Sequence, residues 1–330
     1  MPNQLLELLS IEKPVLSAPM GGAAGPALVA AVCNAGGYGV IPLWGKPVDQ
    51  VMANIGDVEA LTDRNFAVNL NLSFPYKDQL QACIDRQVHA VSLFWGMDPS
   101  AIAAARKGGL VVLASVGSVQ EARMAEDAGA DVIVAQGWEA GGHVWGQVST
   151  MALIPAVADA VAVPVVAAGG IADGRGLAAA LMLGASGVWI GTRFLASNEA
   201  TIDKEYRDRI LAASETETEW YHDLYDVDWP DAPHRALKNS TARDWKDAGA
   251  PSPGNRPNEQ DVIGHRPNGD AVVRYQSYTP QPGTSGNVEA MSLWAGQGVS
   301  LVREVKPAAE IVDEIYRDAR ALLQGGHPDI

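Results

Sequence analysis

Eight short apolar runs recur within residues 15–190 of this 330-residue chain, each separated from the next by a stretch of helical composition. They are Val15 to Ala18, Gly39 to Pro42, Phe66 to Leu70, Ala90 to Leu93, Leu110 to Ser115, Asp131 to Ala135, Val165 to Ala168 and Gly187 to Ile190. Their brevity and lack of polar alternation fit strands buried on both faces. The segments between them, among them Gly25 to Ala35, Tyr76 to Arg86, Pro99 to Lys107, Val119 to Ala128, Thr150 to Ala160 and Asp173 to Leu183, are rich in strong helix formers. Such alternation predicts a parallel sheet, and eight repeats predict its closure. The expected fold is therefore α/β, a (β/α)8 TIM barrel with an irregular inserted C-terminal subdomain. An open doubly wound sheet would carry a GxGxxG turn near its start, and Met20 to Gly25 lacks that spacing.

Composition changes after Ala212. From Ser214 to Gln281 the chain carries Trp220, Trp229 and Trp245 with many Asp, Asn and Pro residues and few aliphatic runs. We expect a barrel over residues 1–212, an insertion over 213–288, acting as a lid or as a packing or dimerisation appendage, and a segment over 289–330 closing on the barrel. Val273 to Tyr278 reads as a lone strand. Pro307 to Leu323 reads as a helix with Ile311, Ile315, Ala319 and Leu322 on one face.

In a barrel of this kind the chemistry sits on the loops after the strands, and phosphate commonly sits after the seventh and eighth. Those two places carry Ala168-Gly169-Gly170-Ile171-Ala172-Asp173-Gly174 and Ile190-Gly191-Thr192-Arg193-Phe194. Backbone amides bared by glycine on neighbouring strand ends converge on one dianion, so the pair predicts a phosphate cradle. Single glycine pairs also make plain tight turns; two of them at barrel spacing favour the cradle.

The loop after the sixth strand, Gln136-Gly137-Trp138-Glu139-Ala140-Gly141-Gly142-His143, is too glycine-rich to be helical. His143 is the one histidine in the strand-end loops, and a neutral imidazole there takes a proton from a carbon acid or orients an oxyanion. His89, His222, His234, His265 and His327 fall in connections, the insertion or the tail and read as surface or structural. Asn69 and Asn71 follow the third strand, Ser115 ends the fifth and Gln136 the sixth. One of the two asparagines is expected to point into the barrel, where an amide pairs with the edge of a heteroaromatic ring.

With 47% hydrophobic and 19% charged residues the chain can bury one large core, and its net charge of -15 argues against nucleic acid or an anionic membrane as partner. Any anion must be held locally, and Arg193 is one candidate to do so. Cys33 and Cys83 lie in helical segments without CxxC or Cys/His clustering, so we expect buried free thiols, no metal site and a cytoplasmic protein. No apolar run approaches the roughly twenty residues of a membrane helix.

Taken together, Ala18-Pro19-Met20, Val68-Asn69-Leu70, Gln136 to His143, Ala168 to Gly174, Gly191 to Phe194 and Trp294-Ala295-Gly296-Gln297 resemble the nitronate monooxygenase (2-nitropropane dioxygenase) family of FMN-dependent TIM barrels. The resemblance implies FMN phosphate on Gly169, Gly170, Gly191 and Thr192. It implies cofactor contacts from Asn69, Gln136, Gly141 and Gly142, the backbone of Ala18, Pro19 and Met20 along the isoalloxazine, and His143 as the active-site histidine. Ser115, Trp189 and Ile190 complete the expected cofactor set. The implied reaction is oxidation of an alkyl nitronate by O2 to a carbonyl compound and nitrite. The same motifs occur in NAD(P)H-dependent quinone reductases and a flavin-dependent enoyl-acyl-carrier-protein reductase, so NAD(P)H is the alternative partner. A monomer or homodimer is expected. A non-enzymatic flavin-binding scaffold would leave the rim histidine idle, and an inosine-phosphate dehydrogenase-like barrel would need a strand-end cysteine, which Cys33 and Cys83 do not provide. Two departures stand out: Ser17-Ala18-Pro19-Met20 where many relatives read Gln-Gly-Gly-Met, and Ser115 where some carry lysine.

Overall fold

The computed structural model describes residues 3–325; His327 lies outside them. Each of the eight apolar runs is a strand: β1 (Val15–Ser17), β2 (Val40–Pro42), β3 (Ala67–Asn71), β4 (Ala90–Phe94), β5 (Val111–Val116), β6 (Val132–Gln136) and, after the short β7 (Gly142–His143), β8 (Val165–Ala168) and β9 (Gly187–Ile190). All but β7 form one parallel sheet in the order β1-β9-β8-β6-β5-β4-β3-β2. Tyr38 closes it. Its amide donates to the Val15 carbonyl (3.0 Å), and its own carbonyl accepts from the Ser17 amide (3.0 Å), which bridges β1 to the chain entering β2. The result is a (β/α)8 barrel.

The helices are α1 (Gln4–Leu9), α2 (Pro26–Asn34), α3 (Val48–Glu59), α4 (Lys77–Arg86), α5 (Pro99–Lys107), α6 (Val119–Ala128), α7 (Thr150–Ala158), α8 (Gly174–Met182), the single turn α9 (Thr192–Leu195), α10 (Lys204–Ala212), α11 (Ser240–Asp247) and α12 (Ala308–Gly325). Several start on side-chain caps. Asp98 accepts from the amides of Ser100 (2.8 Å) and Ala101 (3.3 Å), and Asp173 from those of Arg175 (3.0 Å) and Gly176 (3.2 Å). Each such cap stabilises its helix by about 1 kcal/mol.

Because strand side chains alternate in direction, the barrel has two apolar layers. Leu16, Val40, Ala67, Ala90, Leu113, Val134, Val166 and Trp189 fill the interior, and Leu5 and Leu9 of α1 pack onto the same cluster. Outward-facing Val15, Ile133, Ala167, Val188 and Ile190 meet the surrounding helices. Burying one such aliphatic side chain contributes roughly 1.5–3 kcal/mol. Cys33 and Cys83 are buried, unpaired thiols, and burial pushes them up to about 11 and about 12. Helix α12 buries Ile311, Ile315 and Ala319 against α8, so closely that a Cβ on Gly174 would lie 2.7 Å from the Ala319 amide; Leu322, expected on the same face, is exposed.

The segment after α10 is built from β10 (Thr218–Tyr221), β11 (His234–Leu237), α11, β12 (Val262–His265), β13 (Ala271–Val273) and β14 (Ser285–Gly286). The expected lone strand over Val273 to Tyr278 is corrected. The strand ends at Val273 and pairs with β12, because Tyr275 sits at φ 68°, where an extended ladder cannot continue. Arg256 staples this region. Its buried guanidinium donates to the carbonyls of Asp223 (3.0 Å) and Leu224 (3.1 Å), pairs with Asp226 (2.6 Å) and Glu259, and lies 4.3 Å from the Tyr275 ring centre.

Candidate active site

The loop after β6 does not stay within the barrel. Gly142 and His143, as β7, form the edge of a three-stranded antiparallel sheet in the order β10-β11-β7, with His143 opposite His234 and Gly142 opposite Arg235. The Val144 amide continues the contact by donating to the Pro233 carbonyl (2.8 Å), and the Trp220 indole donates to the Val144 carbonyl (3.0 Å). The inserted segment therefore supplies the backbone partner that holds the rim histidine.

His143 stands in an aromatic box. Its ring centre is 3.8 Å from Trp229, 5.2 Å from Trp294 and 5.8 Å from Trp95. Burial, reinforced by the facing His234, holds its pKa well below the usual imidazole range, so the ring is neutral at neutral pH. Its Nε2 is buried and makes no hydrogen bond within the described residues. Such an atom is costly to leave unpaired unless a ligand meets it.

The ring faces a cavity of about 580 Å³ at the C-terminal end of the barrel strands. Of the expected site residues, Ala18, Pro19, Met20, Asn69, Ser115, Gln136, Gly141, Gly142, His143, Gly169, Gly170, Trp189, Gly191 and Thr192 line it. Ile190 does not. It points outward into the barrel–helix core, one residue out of phase with Trp189, and only its carbonyl, accepting from the Ala18 amide (2.8 Å), braces the wall. Asn69, not Asn71, is the asparagine on the cavity wall. Its Nδ2 donates to the carbonyl and Oγ of Ser92 (both 3.1 Å), leaving Oδ1 buried and unpaired, whereas Asn71 accepts from the Ser73 amide (2.9 Å). Gln136 donates to the His143 carbonyl (3.2 Å). Arg193 is turned away from the cavity, donating to the Glu304 carbonyl (3.1 Å), so it is a structural residue.

The glycines divide by cause. A Cβ on Gly141 would lie 2.3 Å from the Gly296 amide, and one on Gly169 would lie 2.8 Å from Thr150 Oγ1, so protein packing requires both. Gly142, at φ +71°, would meet nothing within 4 Å, and Gly191 only Ala18 and Met20 beyond 3.5 Å. These two border open cavity. The amides of Gly170 and Gly191 donate to no other group among the described residues.

Sequence reasoning missed much of the wall. Trp229, Asp228, Arg266, Tyr278 and Gln281 come from the insertion, and Trp44 and Lys46 from the loop after β2. The one signal available was the tryptophan content of the insertion, which gave no direction.

Fold and site together define a TIM-barrel oxidoreductase. The nitronate monooxygenase profile matches residues 3–79 and 70–318. The nitronate monooxygenase of Paraburkholderia phytofirmans is 33% identical, with 97% of this chain and 96% of that protein covered. FabK from Thermotoga maritima superposes with a TM-score of 0.85 at 33% identity over 98% of each chain. The chain belongs to the nitronate monooxygenase family. It is also 42% identical over 213 residues to a (3aS,4S,5R,7aS)-5-hydroxy-7a-methyl-1-oxo-octahydro-1H-indene-4-carboxyl-CoA dehydrogenase of Mycobacterium tuberculosis, a match covering 63% of this chain and 60% of that enzyme. Among the described residues no helix is long and apolar enough to cross a membrane.

Proposed function

We propose that this protein is an FMN-dependent nitronate monooxygenase that oxidises alkyl nitronates with O2 to a carbonyl compound and nitrite. The single observation that carries the reading is the neutral His143 ring with an unpaired Nε2 on a cavity also lined by bare glycine amides and by Asn69 with its unpaired Oδ1. Those features fit a flavin mononucleotide. Gly170 and Gly191 would take its phosphate with Thr192, Asn69 and Gln136 its heteroaromatic edge, and Ala18 to Met20 its ring plane. A bound flavin supplies the electron acceptor, which no side chain here can.

The chain's own part is binding, orientation and exclusion of water. His143 Nε2, as an N–H, donates to a nitronate oxygen; in the other tautomer it accepts the α-proton of a neutral nitroalkane. Trp229 and Trp294 fix the ring and keep its surroundings dry. The insertion, residues 213–288, serves in this reading as a lid subdomain over the barrel of residues 1–212, with 289–330 closing behind.

The test is a visible spectrum of the purified protein, then anaerobic addition of propyl-2-nitronate and, separately, NADH. Flavin bleaching by the nitronate, with O2 uptake in air and no need for nicotinamide, supports the reading. Bleaching by NADH alone overturns it. A second reading, an NAD(P)H-dependent reductase of a quinone or an enoyl thioester, or an oxidoreductase of a CoA thioester, is favoured by the 42% identity over 213 residues to the indene-4-carboxyl-CoA dehydrogenase.

A further inference from the structure

The cavity wall carries three charged side chains, Lys46, Arg266 and Asp228, in a chain where 39 acidic residues outnumber 24 basic ones. Its local balance is thus opposite in sign to that of the molecule. Lys46 is in none of the ion pairs among the described residues, whose lysines are Lys13, Lys204, Lys246 and Lys306. Arg266 lies 3.8 Å from the largely exposed Asp228, packs 4.9 Å from the Tyr278 ring centre, and keeps a buried Nε without a hydrogen bond.

The two cations come from distant parts of the sequence and line the same cavity as the Gly21-Gly22 dipeptide. Trp44, two residues before Lys46, packs on Gly21, where a Cβ would lie 2.7 Å from its ring. Arg266 packs on Tyr278, and the adjoining Thr279 and Gln281 press on Gly22, with Gln281 Nε2 donating to the Gly22 carbonyl (2.8 Å). Gly21 and Gly22 themselves line the cavity, and their amides donate to no other group among the described residues. A glycine turn with free amides, at φ +78° for Gly22, on a cavity wall that also carries a lysine and an arginine, is the chemistry of a phosphate site. It differs from the cradle after β8 and β9. Neither cation is among the aromatic and imidazole groups packed on His143.

We propose that the lip formed by Lys46, Arg266 and the Gly21-Gly22 turn binds the phosphate of a phosphorylated cosubstrate whose reactive end reaches the cavity past Trp229. Phosphate is the shared chemistry of two sources, a coenzyme A thioester and a reduced nicotinamide dinucleotide. The proposal rests on the second reading above, because alkyl nitronates and O2 carry no phosphate, and it adds to that reading the place where such a cosubstrate is anchored.

The test is titration calorimetry of the wild-type holoenzyme with coenzyme A and, in a second arm, NADH, repeated with Lys46→Gln and Arg266→Gln. Saturable binding of one probe at micromolar concentration is expected, weakened about tenfold by each substitution and falling with added salt. The arm that binds identifies the source. The two variants lie on different elements, so loss of fold in one leaves the other informative, with the bound-flavin spectrum reporting integrity. Absence of binding in both arms, or binding indifferent to both substitutions, overturns the phosphate site while leaving nitronate oxidation to be judged on its own assay.

Discussion

His234 stands directly opposite His143 in the pairing of β11 with β7, and their ring centres lie 5.7 Å apart. His234 is wholly buried, with Nδ1 against the Ala232 carbonyl (2.9 Å) and Nε2 accepting from the Tyr225 amide (3.1 Å). These bonds fix its neutral tautomer, leaving no room for a second proton. A neutral imidazole behind another keeps a compact polar layer under the site without adding charge to it.

That arrangement predicts acid sensitivity. Burial brings His234 down to about 4, and His143 is lowered in the same direction. Both groups bind protons more readily in the unfolded chain, so their contribution is intact above the unfolded value near 6.5 and is lost as pH falls towards the folded values. For His234 alone the loss approaches ~3 kcal/mol by pH 4. Melting temperature measured from pH 8 to pH 4.5 should fall steeply below about pH 6.5. In His234→Gln the fall should be shallower, from a lower starting stability; an unchanged slope would remove the assignment.

If the proposed nitronate chemistry holds, His143→Ala should lower that turnover by about 10²- to 10⁴-fold, the range for removing a positioned proton-transfer group. Flavin content should remain, because the cradle glycines are untouched. Steady-state oxygen uptake beside the visible spectrum of the same sample measures both.

Gly141→Ala and Gly142→Ala should differ sharply although they are neighbours. At Gly141 the new methyl meets the Ala295-Gly296 backbone, and we expect little folded protein. At Gly142 there is space, and the cost is the left-handed backbone alone, about 1–2 kcal/mol. Chemical denaturation of the two variants checks the order.

Arg256→Met should release Trp229 without touching it. The substitution leaves Asp226 and Glu259 without their shared cation, which costs about 3–5 kcal/mol when a buried partner is stranded. The Trp229 amide donates to the Asp226 carbonyl (3.0 Å), so loss of the staple loosens the wall against His143. We expect faster amide exchange over residues 223–229, a raised KM and a smaller change in kcat; equal exchange in both proteins would refute the coupling.

The sequence by itself determined the barrel, because buried parallel strands and their crossover helices are local patterns. Apolar runs such as Val165 to Ala168 and capped helices such as α8 are written in adjacent residues. That Gly169, Gly170, Gly191 and Thr192 reach the cavity was legible for the same reason: they follow strand ends, and strand ends converge in any closed barrel. Trp189 and Ile190 were both expected at the site, but inward and outward positions alternate along a strand, so only Trp189 faces the cavity. What the tertiary structure alone decided was everything contributed across sequence distance. The pairing of His143 with His234, the wall made by Trp229 and the place of Arg266 on the cavity depend on how an irregular insertion packs back on the barrel mouth. Such contacts are selected by shape and burial, which leave no periodic trace in the chain.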